Sequence, residues 1–234
     1  MSDNMKRVLV FIGHPDDEVI GLGGTIRKLA NQGIEVTVVM FCNGNEGYTD
    51  ISMKEKVVKI RDEERKEVAK ILGISKYELI NYPDFGVEMN EKNYKICMHM
   101  IRKYRPDVIF THLVEEYFPH GALARLSTDA WWEAGWESVS LDLGKPWRAK
   151  GLYHYEVIDM IAKPSHIVDI TDTFEIKMKA MRAMVSQKEQ LKGFFLYLKG
   201  LAMVRGTFIG AKYGEAFFAS CANPRVIKDV KNLI

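Results

Sequence analysis

Arg7-Val8-Leu9-Val10-Phe11-Ile12-Gly13-His14-Pro15-Asp16-Asp17-Glu18 is the stretch that decides how this chain folds. Residues 7–12 are an apolar, β-branched run that reads as a buried strand. Gly21-Leu22-Gly23-Gly24-Thr25 follows and runs into a helical pattern. One imidazole and three carboxylates are therefore crowded onto a tight turn at the carboxyl end of a strand, the edge where open α/β sheets bind ligands. Acidic residues also favour helix N-termini, but a cap needs a single carboxylate. Crowding four ionisable groups is costly unless a cation or a reaction uses them.

Working outward, strands and helices alternate. Glu35–Phe41 reads as a second strand, Glu78–Tyr82 as a third and Asp107–Thr111 as a fourth, with Tyr153–Ile158 and His166–Ile170 as further strands. Helical patterns cover Glu18–Gln32 (stopped by Gly33), Ser52–Leu72 (stopped by Gly73), Glu91–Tyr104, Ala122–Trp136 and most of Thr171–Leu198, the last with Thr171 or Asp172 as its cap. The alternation predicts parallel strands with crossover helices: an α/β fold, a Rossmann-like three-layer sandwich with a mostly parallel central sheet. No repeat, low-complexity tract or linker divides the chain, so residues 1–234 are expected to form a single domain.

Composition excludes several classes. A formal charge of +2 offers no basic stripe for nucleic acid. No apolar run reaches the ~18 residues of a membrane span, and the polar start, Met1 to Arg7, does not look like a signal peptide. Three scattered cysteines, Cys42, Cys97 and Cys221, suit neither a disulfide framework nor a thiolate zinc site, and fit cytoplasmic residence. A dinucleotide site fails too: Gly21-x-Gly23 needs glycine at 26, which is Ile26, and the second strand ends Phe41-Cys42-Asn43 without an acid for a ribose. Gly21, Gly23 and Gly24 are instead expected to let the helix pack closely on the sheet.

Metal binding explains the turn better. Histidine plus aspartate is half of a divalent site, and catalytic zinc usually takes three protein ligands. His112 and His120 lie in the loop after the fourth strand. If that strand neighbours the first, either histidine could reach the metal. His99, mid-helix among Met98, Met100 and Ile101, is expected to be structural or on the surface.

The sequence resembles the LmbE-like (PIG-L type) N-acetylglucosaminyl deacetylases, whose hallmark is His-Pro-Asp-Asp-Glu followed by Gly-x-Gly-Gly. The resemblance continues through Arg61-Asp62-Glu63-Glu64, Ala69-Lys70-Ile71-Leu72-Gly73, Tyr82-Pro83-Asp84, Val168-Asp169-Ile170-Thr171 with Lys177, Ser186-Gln187 and Gly210–Phe217. It implies His14 and Asp17 as metal ligands and Asp16 as general base. The family's second motif is His-x-Asp-His, whose last histidine is the third ligand. Here it reads Tyr117-Phe118-Pro119-His120, so His120 keeps the ligand position while Tyr117 and Pro119 replace the histidine and the aspartate. Met184 likewise stands where the family usually has histidine.

What the resemblance implies is zinc-dependent hydrolysis of the acetamide of an N-acetylglucosamine-containing small molecule, giving free amine and acetate. Fe²⁺, Mn²⁺ or Co²⁺ could replace Zn²⁺ in a site of oxygen and nitrogen donors. Asp16 cannot easily share an ion with Asp17, because adjacent side chains diverge, but it can take a proton from the attacking water. Tyr117 is the candidate oxyanion donor, with His112 its rival, and a rim aromatic is the other role open to Tyr117. Arg61 and Asp84, together with His112, are the substrate-binding candidates. An amidase acting on a non-sugar or thiol-conjugate amide is the alternative, motivated by the altered loop. Trp131, Trp132 and Trp136 are expected in the core or a subunit contact. A homo-oligomer, hexamer or trimer, is expected, with neither nucleic acid nor membrane as partner.

Overall fold

The computed structural model of the chain describes residues 5–189 and 192–220; Cys221 lies outside them. The elements are β1 (Arg7–Ile12), α1 (Asp17–Asn31), β2 (Glu35–Cys42), α2 (Val57–Leu72), β3 (Lys76–Tyr82), α3 (Glu91–Tyr104), β4 (Val108–His112), α4 (His120–Ala134), β5 (Gly151–Tyr155), β6 (His166–Asp169), α5 (Phe174–Ala183), α6 (Phe194–Thr207) and β7 (Gly214–Ala219). The strands form one sheet in the order β3-β2-β1-β4-β5-β7-β6. β3 through β5 pair in parallel, and β7 runs antiparallel between β5 and β6. This is the three-layer α/β sandwich with a mostly parallel sheet.

Val8 to Ile12 are buried on both faces, which is why the strand reads as a continuous apolar run rather than an alternating one. One face carries a core that joins α1, α2, α5 and α6, with Ile26, Leu72, Phe174 and Met181 among its members. The other carries α3 and α4, with Met98, Ile101, Leu123 and Trp131. The topology turns back at β1: β2 and β3 extend the sheet on one side, and β4 is laid down on the other. The carboxyl ends of β1 and β4 therefore flank a switch-point crevice.

α1 carries a break at Leu22, whose backbone leaves helical geometry (φ −149°, ψ 24°). The glycines around it serve close packing, as expected. A Cβ on Gly21 would lie 2.2 Å from the Tyr155 ring, and one on Gly24 would lie 2.8 Å from Ile170. Buried Lys177 and Glu215 hold the break: Lys177 donates to the Ile20 carbonyl (2.8 Å) and Glu215 accepts from the Gly24 and Thr25 amides (3.0 and 2.7 Å).

Several boundaries differ from the sequence reading. The helix expected from Ser52 starts at Val57, because Asp50 caps a separate 3-10 turn over Ile51–Met53. The long helix expected after Thr171 is two helices split at Met184. Neither Thr171 nor Asp172 caps the first; Thr173 occupies that position, and its hydroxyl bonds to the Gly24 carbonyl instead. β7 was not anticipated at all. Trp131 is core, whereas Trp132 and Trp136 are nearly half exposed. His99 is exposed, with Nδ1 3.1 Å from the Leu143 carbonyl. Among the described residues no helix is long and apolar enough to cross a membrane.

Candidate metal and catalytic site

The turn after β1 folds on itself. The Asp16 and Asp17 amides donate to the His14 carbonyl (3.0 and 3.4 Å), and the Asp17 carboxylate accepts from the His14 amide (2.7 Å). These bonds aim the side chains of residues 16 and 17 in different directions. Asp17 is buried and points inward, while Asp16 stays partly open to a cleft.

Asp17 Oδ2 lies 3.3 Å from His120 Nε2, which faces His14 Nδ1 at 3.0 Å. One donor atom each from His14, Asp17 and His120 therefore falls within 4.8 Å of the others. β1 and β4 are direct parallel neighbours, and this brings the two histidines together across 106 residues. The approach also depends on Gly13, where a Cβ would lie 2.7 Å from the His120 ring.

The electrostatics say what this cluster wants. Burial opposes charge on His120, yet Asp17 and Glu116 outweigh it and hold its pKa up at about 9. Burial works against ionised Asp17 too, and His120 and His112 still pull it well below the usual carboxylate range. Without an ion, a proton sits where two nitrogens and a carboxylate oxygen converge. A divalent cation fits the same donors, a nitrogen–oxygen set of the kind zinc takes. A second grouping, His14, Cys42 and Asp84, also falls within 4.8 Å but fits less well. Burial pushes the Cys42 thiol's pKa up, which opposes a thiolate ligand, and Asp84 spends its oxygens on the Gly44 and Glu46 amides (2.7 and 2.9 Å).

Asp16 stands beside the cluster as a separate group. Arg61 Nη2 bridges to its Oδ2 (2.9 Å) and to the Pro15 carbonyl (2.6 Å). Burial raises the Asp16 pKa to about 7 against the opposing pull of Arg61. A carboxylate so poised can accept a proton near neutral pH. His14, Asp16, Glu46, Arg61, Asp84, Tyr117 and Phe118 line one cleft of about 260 Å³.

The sequence candidates thus divide. His14, Asp16, Arg61, Asp84 and Tyr117 line the cleft, and Asp17 and His120 are buried beside it, against His14. Arg61 is no helix-surface charge but a buried clamp on Asp16. Asp84 is more than a turn former, since it organises residues 44–46. His112 lies behind, fully buried. Its Nε2 accepts from the Gly13 amide (2.9 Å) and its ring stacks on His120 (3.9 Å between centroids, 13° between planes). Burial, with His120 next, lowers the His112 pKa to about 4, so the ring is neutral. It supports His120 and does not reach the cleft. Met184 packs behind Arg61 in a small cavity with Pro15, Glu18 and Val68. Glu116 was missed by the sequence reading; the only signal for it is an acidic residue four positions before His120, in the loop that leads into α4.

Comparison with known proteins places the chain in a family. The family model described as GlcNAc-PI de-N-acetylase, PIG-L, matches residues 9–131, more than half of the chain. The chain belongs to the PIG-L family. It is 29% identical over 232 residues to the diacetylchitobiose deacetylase of Thermococcus kodakarensis, covering 91% of this chain and 82% of the relative. It is 28% identical over 199 residues to a probable N-acetyl-alpha-D-glucosaminyl L-malate deacetylase 2 of Bacillus cereus, covering 80% and 86%. The solved N,N'-diacetylchitobiose deacetylase of Pyrococcus horikoshii superposes with a TM-score of 0.86 at 32% identity, over 99% of this chain and 90% of that one.

Proposed function

We propose that this PIG-L member is a metal-dependent N-deacetylase that hydrolyses the acetamide of an N-acetylglucosamine-containing small molecule. The observation that carries the reading is the division of labour on one turn: Asp17 faces His14 and His120, while Asp16 faces the cleft on the Arg61 clamp. The relatives' deacetylase activities point the same way.

His14, Asp17 and His120 would hold the ion, with Zn²⁺ the expected occupant and Fe²⁺, Mn²⁺ or Co²⁺ as substitutes. When bound there, such an ion supplies a Lewis acid that polarises a carbonyl and lowers the pKa of water. Asp16 accepts the proton of the water that attacks the acetamide carbon and returns it to the departing amine. Arg61 keeps the carboxylate aimed at that position. Tyr117 donates a hydrogen bond to the carbonyl oxygen as charge builds on it. Burial raises its hydroxyl pKa, and nearby Asp17 and Asp16 raise it further, so the donor proton stays in place. Glu46, Arg61 and Asp84 line the same cleft and present polar groups to sugar hydroxyls.

One observation supports a second reading. Phe118 and the substituted Tyr117 and Pro119 line the cleft, so whatever carries the acetamide meets a largely apolar wall, and an amide on a non-sugar or thiol-conjugate scaffold could use the same metal site.

The test is acetate release from N-acetylglucosamine and its disaccharide, using metal-stripped protein with and without Zn²⁺. Zinc-restored release from either sugar, with none from non-sugar acetamides, is the expected result. Silence on both sugars with one metal bound per chain would favour the second reading.

A further inference from the structure

Glu116 sits outside the motif that identifies this site, yet one of its oxygens is tied to the backbone and the other faces His120. Oε1 accepts three successive backbone amides, from Val157 (3.1 Å), Ile158 (2.8 Å) and Asp159 (2.9 Å), a nest of donors shaped for an anion. That segment is itself fixed. Glu156 takes the Ile161 amide (2.6 Å) and pairs with buried Arg205, whose guanidinium also bonds the Ile161 carbonyl (2.7 Å). Tyr197 donates to the Val157 carbonyl (3.1 Å). With Oε1 held, Oε2 can point only one way. It lies 3.6 Å from His120 Nδ1, and both atoms are fully buried and otherwise unpartnered.

We propose that Glu116 is the positioning residue for the metal centre: it holds the proton of the His120 ring on Nδ1, so that Nε2 offers its lone pair to the ion. The assignment rests on the metal-site reading above and concerns only how the third ligand is oriented. A carboxylate behind a ligating imidazole fixes its tautomer and raises its basicity. It also explains how the second motif can do without its aspartate. Orientation of His120 comes from a residue four positions earlier, anchored by the loop after β5 and ultimately by the Arg205–Glu156 pair. Stacked, neutral His112 closes the other side of the ring.

Glu116→Gln tests this without removing the acceptor that the nest requires. The amide oxygen must take the place of Oε1, because three N–H groups face it. The amide nitrogen then points its hydrogens at His120 Nδ1 and favours the tautomer protonated on Nε2, the atom the ion needs. The expected result is Zn²⁺ binding weakened by roughly 10–100-fold in chelator competition, in a stripped variant that still unfolds cooperatively. Glu116→Asp, which keeps the charge, should recover part of the loss. Equal zinc affinity in folded Glu116→Gln and parent overturns the assignment but leaves the metal site standing. A parent chain that binds no zinc overturns the metal site, and this assignment with it. Should Glu116→Gln fail to fold, ¹⁵N NMR of the His120 ring in the zinc-loaded parent decides. A protonated Nδ1 supports the assignment, and an unprotonated or ligating Nδ1 overturns it.

Discussion

The turn at residues 13–18 and the loop at residues 112–120 face each other across the β1–β4 junction, yet they hold their site residues by different means. The turn is shaped largely from within: His14, Asp16 and Asp17 bond to one another within four residues, and Arg61 clamps Pro15 and Asp16 from α2. The loop borrows its order from the Gly13 amide, which fixes His112, and from the amides at 157–159, which fix Glu116. A turn shaped from within tolerates little substitution, because each residue is both structure and chemistry. A loop ordered from elsewhere can exchange residues and keep its ligand. That contrast accounts for an intact first motif beside a second motif reduced to His120.

The contrast breaks most sharply at Asp16. Asp16→Asn should leave zinc stoichiometry at its parent value and lower turnover by roughly 10²–10⁴-fold. Metal analysis beside steady-state kinetics checks both halves. Retained turnover with retained zinc would remove Asp16 from the role of base and the turn from its position as the chemical half of the site.

A smaller effect is expected one step back, at Arg61. Its guanidinium favours ionised Asp16, so Arg61→Met should raise that carboxyl's pKa. The base is then protonated up to a higher pH, and the acid limb of kcat/KM against pH moves upward. At pH 7 the loss is roughly 5–50-fold, corresponding to a rise of one to two pKa units from about 7, and it should shrink as pH rises. A uniform loss across the pH range would mean that Arg61 serves substrate rather than Asp16.

How much of this was legible follows the same division. β1, β2, α3 and β4 are written in local patterns, and so is the crowding of His14, Asp16 and Asp17 on one turn; that β4 lies beside β1 entered only as a condition and is settled by the fold. β7 was not legible, because Gly214-Glu215-Ala216-Phe217-Phe218-Ala219 carries no short-range signal that it returns antiparallel between β5 and β6. The split between α5 and α6 was hidden for a related reason. Met184 leaves helical geometry (φ −83°, ψ 67°), and Ser186 and Gln187, in a short 3-10 turn, bond Glu64 (2.6 Å from the Ser186 amide) and the Gly47 carbonyl (2.6 Å) more than 100 residues away. Arg61 reads as a substrate contact, and its hold on Asp16, 45 positions earlier, shows only in the fold. Glu116 shows nothing until the loop at 157–159 is placed around it.

Proton and metal compete for His120. The folded chain holds its pKa at about 9, above the ordinary 6.5. Its pairing with Asp17 therefore stabilises the ion-free protein fully below about 6.5, and that stability is lost as pH rises through about 9. Zinc must displace the same proton. Its affinity for stripped protein should rise about tenfold per pH unit from 7 to 8.5 and level off above about 9. Titrations in buffers of different ionisation enthalpy count the released proton. The melting temperature of stripped protein should fall over the interval in which zinc binding tightens.

The smallest expected effect belongs to the substituted position itself, Tyr117. Its ring lies 4.5 Å from that of His120, centroid to centroid, and the residue is 51% exposed, so its hydroxyl works in a partly wet cleft. A hydrogen bond there is worth about 0.5–1.5 kcal/mol rather than the larger value of a fully enclosed oxyanion donor. Tyr117→Phe should therefore lower kcat by roughly 3–10-fold and leave KM nearly unchanged, the pattern of an interaction made only in the transition state. Phenylalanine keeps the ring, so a purely stacking role predicts no change for this variant and a raised KM for Tyr117→Ala. The pair of variants separates the two roles. If Tyr117→Phe is silent and Tyr117→Ala raises KM, the loop gave up its donor when it lost the motif histidine, and the catalysis lies almost entirely with the turn it faces.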